Sequence, residues 1–506
     1  MPLRQKVFCH VGMTKAASTS IQNTLDYGRE ALLAQGILFP ASCFTRRNPT
    51  DLTRTSGNLE LLRMLKNGTE GAFIEECRQH EDRAESLVLS AENLLFDQSE
   101  GQLEPLARLL ESTEVVMIAV VRHQIDWLVS RYTESVTGGW HNECRSIDRY
   151  CRDRMVDGVL DYGKRVAWLA KLLNAQTVHV LDYGSLTRDG KLVSTVLDLC
   201  GVDQARFRED TRDDMALSRA RSDNRRSVSA TAIEAQRSLN VFTDILPPRN
   251  RVTWLSERRL EWKSGADNPH ETAALLPSPK TLRDLEKHVA PFNAKLSDRY
   301  LGGADFESQT DNLQDGLIRR QLSRRRLTDQ FVRGMQGFLE IRDMADRQPV
   351  KVDRFPPPLT APAEEVTRLC ALYRRASVIL ECPSGYMTLI AAGLPDKRIM
   401  TLEPDPVKRA ALIEFLDCME PLGRIDVHHQ AQPLNIWNHE HFQPPDMIHL
   451  GPDSAAHVED LVALTQNEVK IAIEDASGSS LAALDIPRLR EKRRTGTLWE
   501  LHIDAR

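Results

Sequence analysis

The stretch HVGMTKAASTSIQ (residues 10–22) places a lysine and a run of hydroxyl residues where an apolar segment gives way to an amphipathic one. A strand-to-helix turn of this kind favours a phosphate group, because it offers unpaired backbone N–H groups and the positive end of a helix dipole. Lys15 can neutralise a phosphate oxygen, and Ser18, Thr19 and Ser20 can donate hydrogen bonds. The common nucleotide loop G-x-x-x-x-G-K-[ST] does not fit, because the lysine comes two residues too early. The alternative is an ordinary turn in which Ser18 caps the helix.

A second stretch, VVRHQIDWLVSRY, offers two further groups that suit a phosphate. Arg122 ends a predicted strand, and Ser130 follows eight residues later on the next predicted helix. The planar fork of arginine matches phosphate geometry, and the serine adds a donor. The alternatives are a surface salt bridge for Arg122 and an exposed helix position for Ser130.

Taken in this order, TKAASTS and RHQIDWLVSRY resemble the loops of sulfotransferases that use 3′-phosphoadenosine 5′-phosphosulfate (PAPS). In that family the first loop reads approximately P-K-[TS]-G-[ST]-[TS], and the second begins R-x-P with a serine eight residues after the arginine. The similarity extends over about residues 5–300. This chain departs from the pattern at Thr14, where the family usually has proline, and at Ala17, where alanine narrows the backbone angles that glycine allows.

The resemblance implies a two-part PAPS site. It assigns the 5′-phosphosulfate to the first loop and the 3′-phosphate to Arg122 and Ser130, and it gives Lys15 the further role of stabilising charge on the leaving phosphate. The first-loop residues are Lys15, Ala17, Ser18, Thr19 and Ser20. The expected reaction moves a sulfuryl group from PAPS to a hydroxyl of a carbohydrate or small-molecule acceptor and releases adenosine 3′,5′-bisphosphate.

The acceptor hydroxyl in such a reaction needs a general base. Glu92, in the stretch LSAENL after a predicted strand, is the candidate, because related sequences carry a similar S-x-E pattern. His10 and His123 flank the two loops and are alternatives. A surface role for Glu92 and a packed core position for His10 also stay open.

A separate pattern lies towards the C-terminus, where ECPSGY is followed by RIMTLEPDPVKRAALIEFL. Acidic residues end two successive predicted strands, and in a Rossmann-like unit the second acid accepts hydrogen bonds from ribose hydroxyls. The pattern resembles the first motif of class I S-adenosylmethionine (SAM) methyltransferases, approximately E-x-G-x-G. Pro383 replaces the first glycine and removes a backbone donor, so a degenerate, non-catalytic copy of the fold is the alternative. The positions carried over as a SAM site are Glu381, Ser384, Gly385 and Glu403.

The elements that position these residues follow an α/β pattern. We expect a P-loop-like domain with a parallel sheet over 1–301, a helical and proline-rich connector over 302–358, and a Rossmann-like domain over 359–506. The predicted N-terminal elements are strands at 6–12, 86–93 and 114–122, and helices at 18–36 and 124–136.

Composition limits the remaining choices. A net charge of −6 argues against nucleic acid as a partner. Nine cysteines without a CxxC pair indicate reduced thiols in a cytoplasmic protein, and we expect no membrane span. We also expect no metal, and interpret most of the C-terminal histidines as surface residues: His428, His429, His439, His441, His449 and His457. A homo-oligomer, a SAM-dependent methyltransferase with an accessory N-terminal domain, and a non-catalytic nucleotide-binding scaffold all stay open.

Overall fold

The computed structural model divides into two compact units, each discontinuous in sequence. Unit 1 consists of Met1–Arg131, Cys151–Ser227 and Pro277–Asp315, and unit 2 of Tyr132–Tyr150, Val228–Leu276 and Gly316–Arg506. The division at residues 301 and 358 stays a prediction, and the compact units do not follow it. The described residues are 6–46, 55–91, 94–95, 100–138, 141–211, 228–243, 246, 250–251, 253–255, 258, 274–306, 308, 317–344, 362–382, 386–428, 445–450, 462, 469–474, 489–495 and 498–504.

The strands and helices are numbered in chain order. The strands are β1 Lys6–His10, β2 Ile37–Leu38, β3 Thr45–Arg46, β4 Thr55–Gly57, β5 Ser86–Ser90, β6 Val115–Val121, β7 Thr177–Asp182, β8 Leu275–Leu276, β9 Leu317–Ile318, β10 Val378–Cys382, β11 Arg398–Leu402, β12 Arg424–His428, β13 Met447–Leu450, β14 Val469–Glu474, β15 Leu489–Thr495 and β16 Leu498–Ile503. The helices are α1 Ser18–Tyr27, α2 Arg29–Leu33, α3 Leu59–Asn67, α4 Gly71–Gln79, α5 Glu100–Leu110, α6 Gln124–Thr137, α7 Ile147–Val156, α8 Tyr162–Leu172, α9 Tyr183–Arg188, α10 Leu192–Leu199, α11 Gln204–Asp210, α12 Ala230–Asn240, α13 Pro279–Tyr300, α14 Arg324–Met344, α15 Ala363–Arg375, α16 Tyr386–Ala392 and α17 Pro406–Met419.

Unit 1 contains a parallel sheet in the order β2-β5-β1-β6-β7. Its strand β6 reads VVMIAVV and is buried at every position, as expected for the β-branched run of a sheet that is covered on both faces. The strands predicted at 6–12, 86–93 and 114–122 correspond to β1, β5 and β6. The loop that follows β1 therefore starts from the middle strand of this sheet.

One predicted element of unit 1 is wrong. The single helix predicted over 18–36 is two helices, α1 and α2, which meet at Gly28. A side chain at Gly28 would lie 2.2 Å from the ring of Phe207, so the chain turns where only glycine fits. The spacing of apolar residues continues through both helices, so it does not reveal the contact between Gly28 and Phe207.

Unit 2 contains a sheet in the order β12-β11-β10-β13-β14-β16-β15. The first five strands are parallel, and β16 runs antiparallel to both β14 and β15. The strand order reverses between β10 and β13, and in open α/β sheets ligands bind beyond the carboxyl ends of the strands at such a reversal. The predicted α/β class, with a second Rossmann-like domain, is confirmed.

Helices α15, α16 and α17 cover this sheet with apolar side chains. Val366 and Leu369 of α15, Leu389 and Ile390 of α16 and Leu412 of α17 are all buried in one core cluster. Asp405 caps α17 by accepting hydrogen bonds from the backbone N–H groups of the first turn. The core fixes the helices, and the helices in turn fix the polar side chains that they direct at the strand ends.

Candidate functional site

The turn between β1 and α1 has a backbone that alternates in handedness. Lys15 and Ala17 both adopt the left-handed region, at φ 66° and 59°. Ala17 is the N-cap residue of α1 and makes no side-chain cap, while the hydroxyl of Ser18 donates to the carbonyl of Met13 at 2.9 Å. The alternative in which Ser18 caps the helix is wrong, because this hydroxyl bonds a carbonyl of the preceding turn.

Two side chains from β6 and α6 hold the same turn. The Nη1 atom of Arg122 donates to the carbonyl of Lys15, and the indole nitrogen of Trp127 donates to the carbonyl of Thr14, both at 3.1 Å. The Arg122 guanidinium also lies 5.0 Å from the centre of the Tyr183 ring. The turn is therefore tied by hydrogen bonds to the segment that follows β6.

The remaining hydroxyl residues of the expected PAPS site lie on helices. Thr19 and Ser20 are half-buried in the first turn of α1, and Ser130 is half-buried on α6. Glu92, the expected general base, lies outside the described residues.

The two alternative bases, His10 and His123, are both buried. His10 Nδ1 lies 2.7 Å from the hydroxyl of Ser90, and burial lowers the pKa of His10 to about 4. His123 packs on Phe306 and bonds Asn293, and burial lowers its pKa as well. Both imidazoles are neutral near pH 7, and the hydrogen bond and burial of His10 match the packed core position that the sequence left open.

Unit 2 places a polar cluster at the end of its central strand. Glu381 of β10 lies beside Thr401 of β11 and His449 of β13 in the sheet register. The hydroxyl of Tyr373 donates to Glu381 Oε1 and lies 3.0 Å from His449 Nδ1, while Thr388 donates to Glu381 Oε2 at 2.6 Å. Three neighbouring strands and two helices thus converge on one carboxyl group.

Burial has the largest effect on the pKa of this carboxyl group. Glu381 is 1% exposed, and desolvation raises its pKa, while His449 and the hydroxyl donors lower it by less. The partners are hydroxyls and an imidazole rather than guanidinium groups, so nothing in the cluster outweighs the desolvation.

The second acid of the predicted SAM site follows the adjacent strand. Glu403 comes directly after β11 and is buried; its backbone N–H donates to the carbonyl of His428, and its Oε1 accepts from the backbone N–H of Asp405, both at 3.0 Å. The structure thus places Glu381 and Glu403 at the carboxyl ends of neighbouring parallel strands. Ser384 and Gly385, the other two predicted positions, lie outside the described residues.

Sequence reasoning did not find Tyr373, Thr388 or His449. The surface interpretation of His449 is wrong, because this side chain is buried. A signal was present, since a histidine interrupts the otherwise apolar strand MIHL. Tyr373 gave no comparable signal, because an aromatic residue near a helix end is ordinary core composition.

The described residues contain no group of three or more His, Cys, Asp or Glu side chains arranged to hold a metal ion. A search for long apolar helices in the same part of the chain finds none that could span a membrane.

Comparison with known proteins gives solved structures only; no family model and no curated protein matches. A methyltransferase-like protein from Silicibacter pomeroyi is 22% identical, with a TM-score of 0.27, over 30% of this chain and 91% of that one. The O-methyltransferase TomG from Streptomyces achromogenes, solved in complex with SAM, is 18% identical, with a TM-score of 0.22, over 35% of this chain and 90% of that one. An rRNA methylase from Escherichia coli is 10% identical, with a TM-score of 0.23, over 54% of this chain and all (100%) of that one. At these scores the likenesses carry no activity over to this chain, and its fold rests on the sheet order above.

The expected PAPS-dependent sulfotransferase, with PAPS as its cofactor, is contradicted by this comparison, because the similar solved structures are methyltransferases, one of them solved with SAM. Two groups that the resemblance assigned to PAPS, the hydroxyl of Ser18 and the guanidinium of Arg122, donate hydrogen bonds to carbonyls of the β1–α1 turn.

Proposed function

We propose that unit 2 binds SAM and that the chain is a SAM-dependent methyltransferase with unit 1 as an accessory domain. One observation carries the proposal: the strand order reverses between β10 and β13, and the buried acids Glu381 and Glu403 lie at adjacent strand ends beside that reversal. A ligand with a ribose and a charged amino-acid portion suits such a place, since carboxylates accept hydrogen bonds from hydroxyl and ammonium groups.

The residues present fit this cofactor. Glu403 would accept hydrogen bonds from the ribose hydroxyls; a carboxylate offers about four acceptor positions, so its bond to Asp405 is compatible with that role. Glu381 would act indirectly, by holding Tyr373, Thr388 and His449 in place beneath the cofactor. SAM itself supplies the methyl group, which its sulfonium makes electrophilic.

Binding of SAM and of S-adenosylhomocysteine to the full chain tests the proposal. Either ligand should raise the melting temperature with increasing concentration, since it binds the native state only. Glu403→Gln should weaken binding by about tenfold or more, because a hydrogen bond to a charged group contributes roughly 1.5–3 kcal/mol. Glu414→Gln, an exposed change on α17, is the matched control and should bind as the wild type does. Absence of any shift with either ligand, in a chain that melts cooperatively, would refute SAM binding.

We propose a small molecule rather than a nucleic acid as the methyl acceptor. The net charge of −6 disfavours a polyanion. Transfer of labelled methyl from SAM to a panel of polyols, phenols and sugars tests this, with ribosomal RNA as the opposing arm because one of the similar structures is an rRNA methylase. If the label were transferred to RNA and to none of the small molecules, the proposed acceptor class would be overturned and the dependence on SAM would stand.

A specific observation favours a second candidate function, an anion site at the β1–α1 turn. Three consecutive carbonyls of this turn, at Met13, Thr14 and Lys15, each accept a hydrogen bond from a side chain. Lys15 and Ala17 have positive φ on either side of Ala16, and turns that contain left-handed residues can gather N–H groups into an anion-binding concavity. We propose that these N–H groups and the Lys15 ammonium hold an anionic group of a ligand or partner.

Inorganic pyrophosphate is the probe for this anion site. It should raise the melting temperature of the wild type, and Lys15→Ala should remove most of that shift, whereas Lys171→Ala, at an exposed position on α8, should not. An equal shift in both variants would show unspecific charge binding and overturn the site.

A further inference from the structure

A groove of about 520 Å³ lies between α14 and α15 within unit 2. Its walls include Val332, Met335 and Leu339 from α14, and Cys370 and Ala371 from α15. The volume is within the range of small-molecule sites, which are mostly apolar with a few polar groups. The proposed SAM site does not use any of these side chains.

Helical spacing explains why these residues line one groove. Val332, Met335 and Leu339 follow each other at three and four positions, so they share one face of α14. Val366 and Leu369 of α15 belong to the same core cluster as Met335, Leu339 and Cys370. The floor of the groove is therefore continuous with the apolar core that covers the sheet.

The floor of the groove is uncharged. Met335 and Leu339 are each 2% exposed, and Cys370 is 6% exposed. Burial raises the pKa of the Cys370 thiol to about 12, so this thiol stays neutral and apolar in character at physiological pH. Gln336 and Thr367, which also line the groove, are neutral as well.

Positive charge is concentrated at one end. Arg374 and Arg375, at the C-terminal end of α15, both line the groove. Arg374 bonds Asp329 at 2.5 Å, whereas the exposed Arg375 has no acidic partner among the residues that the structure describes. An apolar channel that ends at an arginine is complementary to a molecule with an apolar chain and one anionic end.

We propose that this groove binds a single-chain anionic amphiphile, with the apolar chain between α14 and α15 and the carboxylate at Arg375. The stripe from Val332 to Leu339 is about 10 Å long at 1.5 Å per helical residue, which suits a medium-length acyl chain. The site is independent of SAM binding, so each proposal can fail without the other.

Dodecanoate, kept below its micelle-forming concentration, is the probe. Calorimetric titration of the full chain should show saturable binding at one site, and dodecyltrimethylammonium, with the same chain and opposite charge, should bind at least tenfold more weakly. Arg375→Glu should weaken dodecanoate binding at least tenfold. Arg333→Glu, the same charge change at an exposed position of α14 outside the groove, should leave the affinity unchanged.

A groove-filling variant tests the apolar half. Ala371→Trp should abolish binding, and Thr367→Trp, at the exposed rim, serves the same purpose if the first variant folds poorly. Equal affinity for both amphiphiles, or binding that survives Arg375→Glu and both tryptophan variants, would overturn the proposal. It would also fail if dodecanoate does not bind and a tryptophan variant converts a dimer into a monomer, since a second copy of the chain would then fill the groove.

Discussion

Glu234 and Glu381 are two of the buried carboxyl groups of unit 2; they are buried to the same extent, and their surroundings shift their pKa values in opposite directions. Each side chain is about 1% exposed. Glu234 lies 2.5 Å from Arg237 and 2.7 Å from Arg319. Desolvation raises the pKa of Glu234, but the two guanidinium groups outweigh it and lower the value to about 2. Glu381 has no such cation, and desolvation leaves its pKa above the ordinary value.

The difference shows that the partners of a buried acid decide the direction in which its pKa moves, because burial raises the pKa of both acids. It also separates two structural tasks. The Glu234 cluster joins segments that are distant in sequence, because Arg237 donates to the carbonyls of Cys144 and Met419. The Glu381 cluster joins neighbouring strands of one sheet. An ion-paired acid therefore stabilises the discontinuous part of unit 2, whereas a hydrogen-bonded acid lies at the proposed cofactor site.

The largest expected effect comes from removing the charge at Glu234. Glu234→Gln should lower the free energy of unfolding by about 3–5 kcal/mol, because it leaves the fully buried Arg237 without its counter-charge and removes one of the two carboxylates that pair with Arg319. Denaturant unfolding followed by circular dichroism measures this. Glu414→Gln, an exposed change in the same unit, should alter stability by less than about 0.5 kcal/mol. If Glu234→Gln lost no more unfolding free energy than the control, the contrast between Glu234 as an ion-paired acid and Glu381 as a hydrogen-bonded acid would not hold.

Acid titration should give the next largest effect, through the same residue. A carboxyl group whose folded pKa lies below its unfolded value contributes stability above the unfolded pKa and loses it as the pH falls through the folded pKa. For Glu234 that window runs from 4.5 down to about 2, and the full contribution corresponds to about 3 kcal/mol. The difference in unfolding free energy between the wild type and Glu234→Gln should therefore shrink across this window. A difference that is constant with pH would contradict the assignment.

The sequence predicts the sheet-forming parts of the molecule well, and the reason is physical. The run VVMIAVV contains only buried, mostly β-branched positions, so its state follows from composition alone. The acids Glu381 and Glu403 could be located because they end apolar strands, and parallel strands bring such ends together. These features depend on residues close in sequence.

The features that were missed depend on residues far apart in sequence. Phe207 leaves no room for a side chain at Gly28, where α1 and α2 meet, and the roles of Arg122 and Ser18 depend on which carbonyl comes within reach. The position of His449 depends on Tyr373. A sequence motif gives the residue types of a site, but it does not show which hydrogen-bond partners these residues have in the folded chain. The sulfotransferase resemblance went wrong in this way.

The smallest effect should come from Glu381, and its pH dependence should have the opposite sign. Glu381→Gln keeps the shape of the side chain without a charge, and one of the two hydroxyls that donate to Glu381 can rotate to accept from the new amide group, so we expect a loss below about 1.5 kcal/mol near pH 7. Tyr373→Phe, which leaves a buried carboxyl oxygen short of a donor, should lose about 1–3 kcal/mol. An acid with a raised folded pKa contributes stability below its unfolded pKa and loses it as the pH rises through the folded pKa. As the pH falls towards 4, the unfolding free energy of the wild type should therefore rise relative to that of Glu381→Gln. Over the same pH range it should fall relative to that of Glu234→Gln. If the difference in unfolding free energy between the wild type and each variant changed with pH in the same direction, the same kind of partner would control both acids. The distinction between an ion-paired and a hydrogen-bonded carboxyl group would then fail.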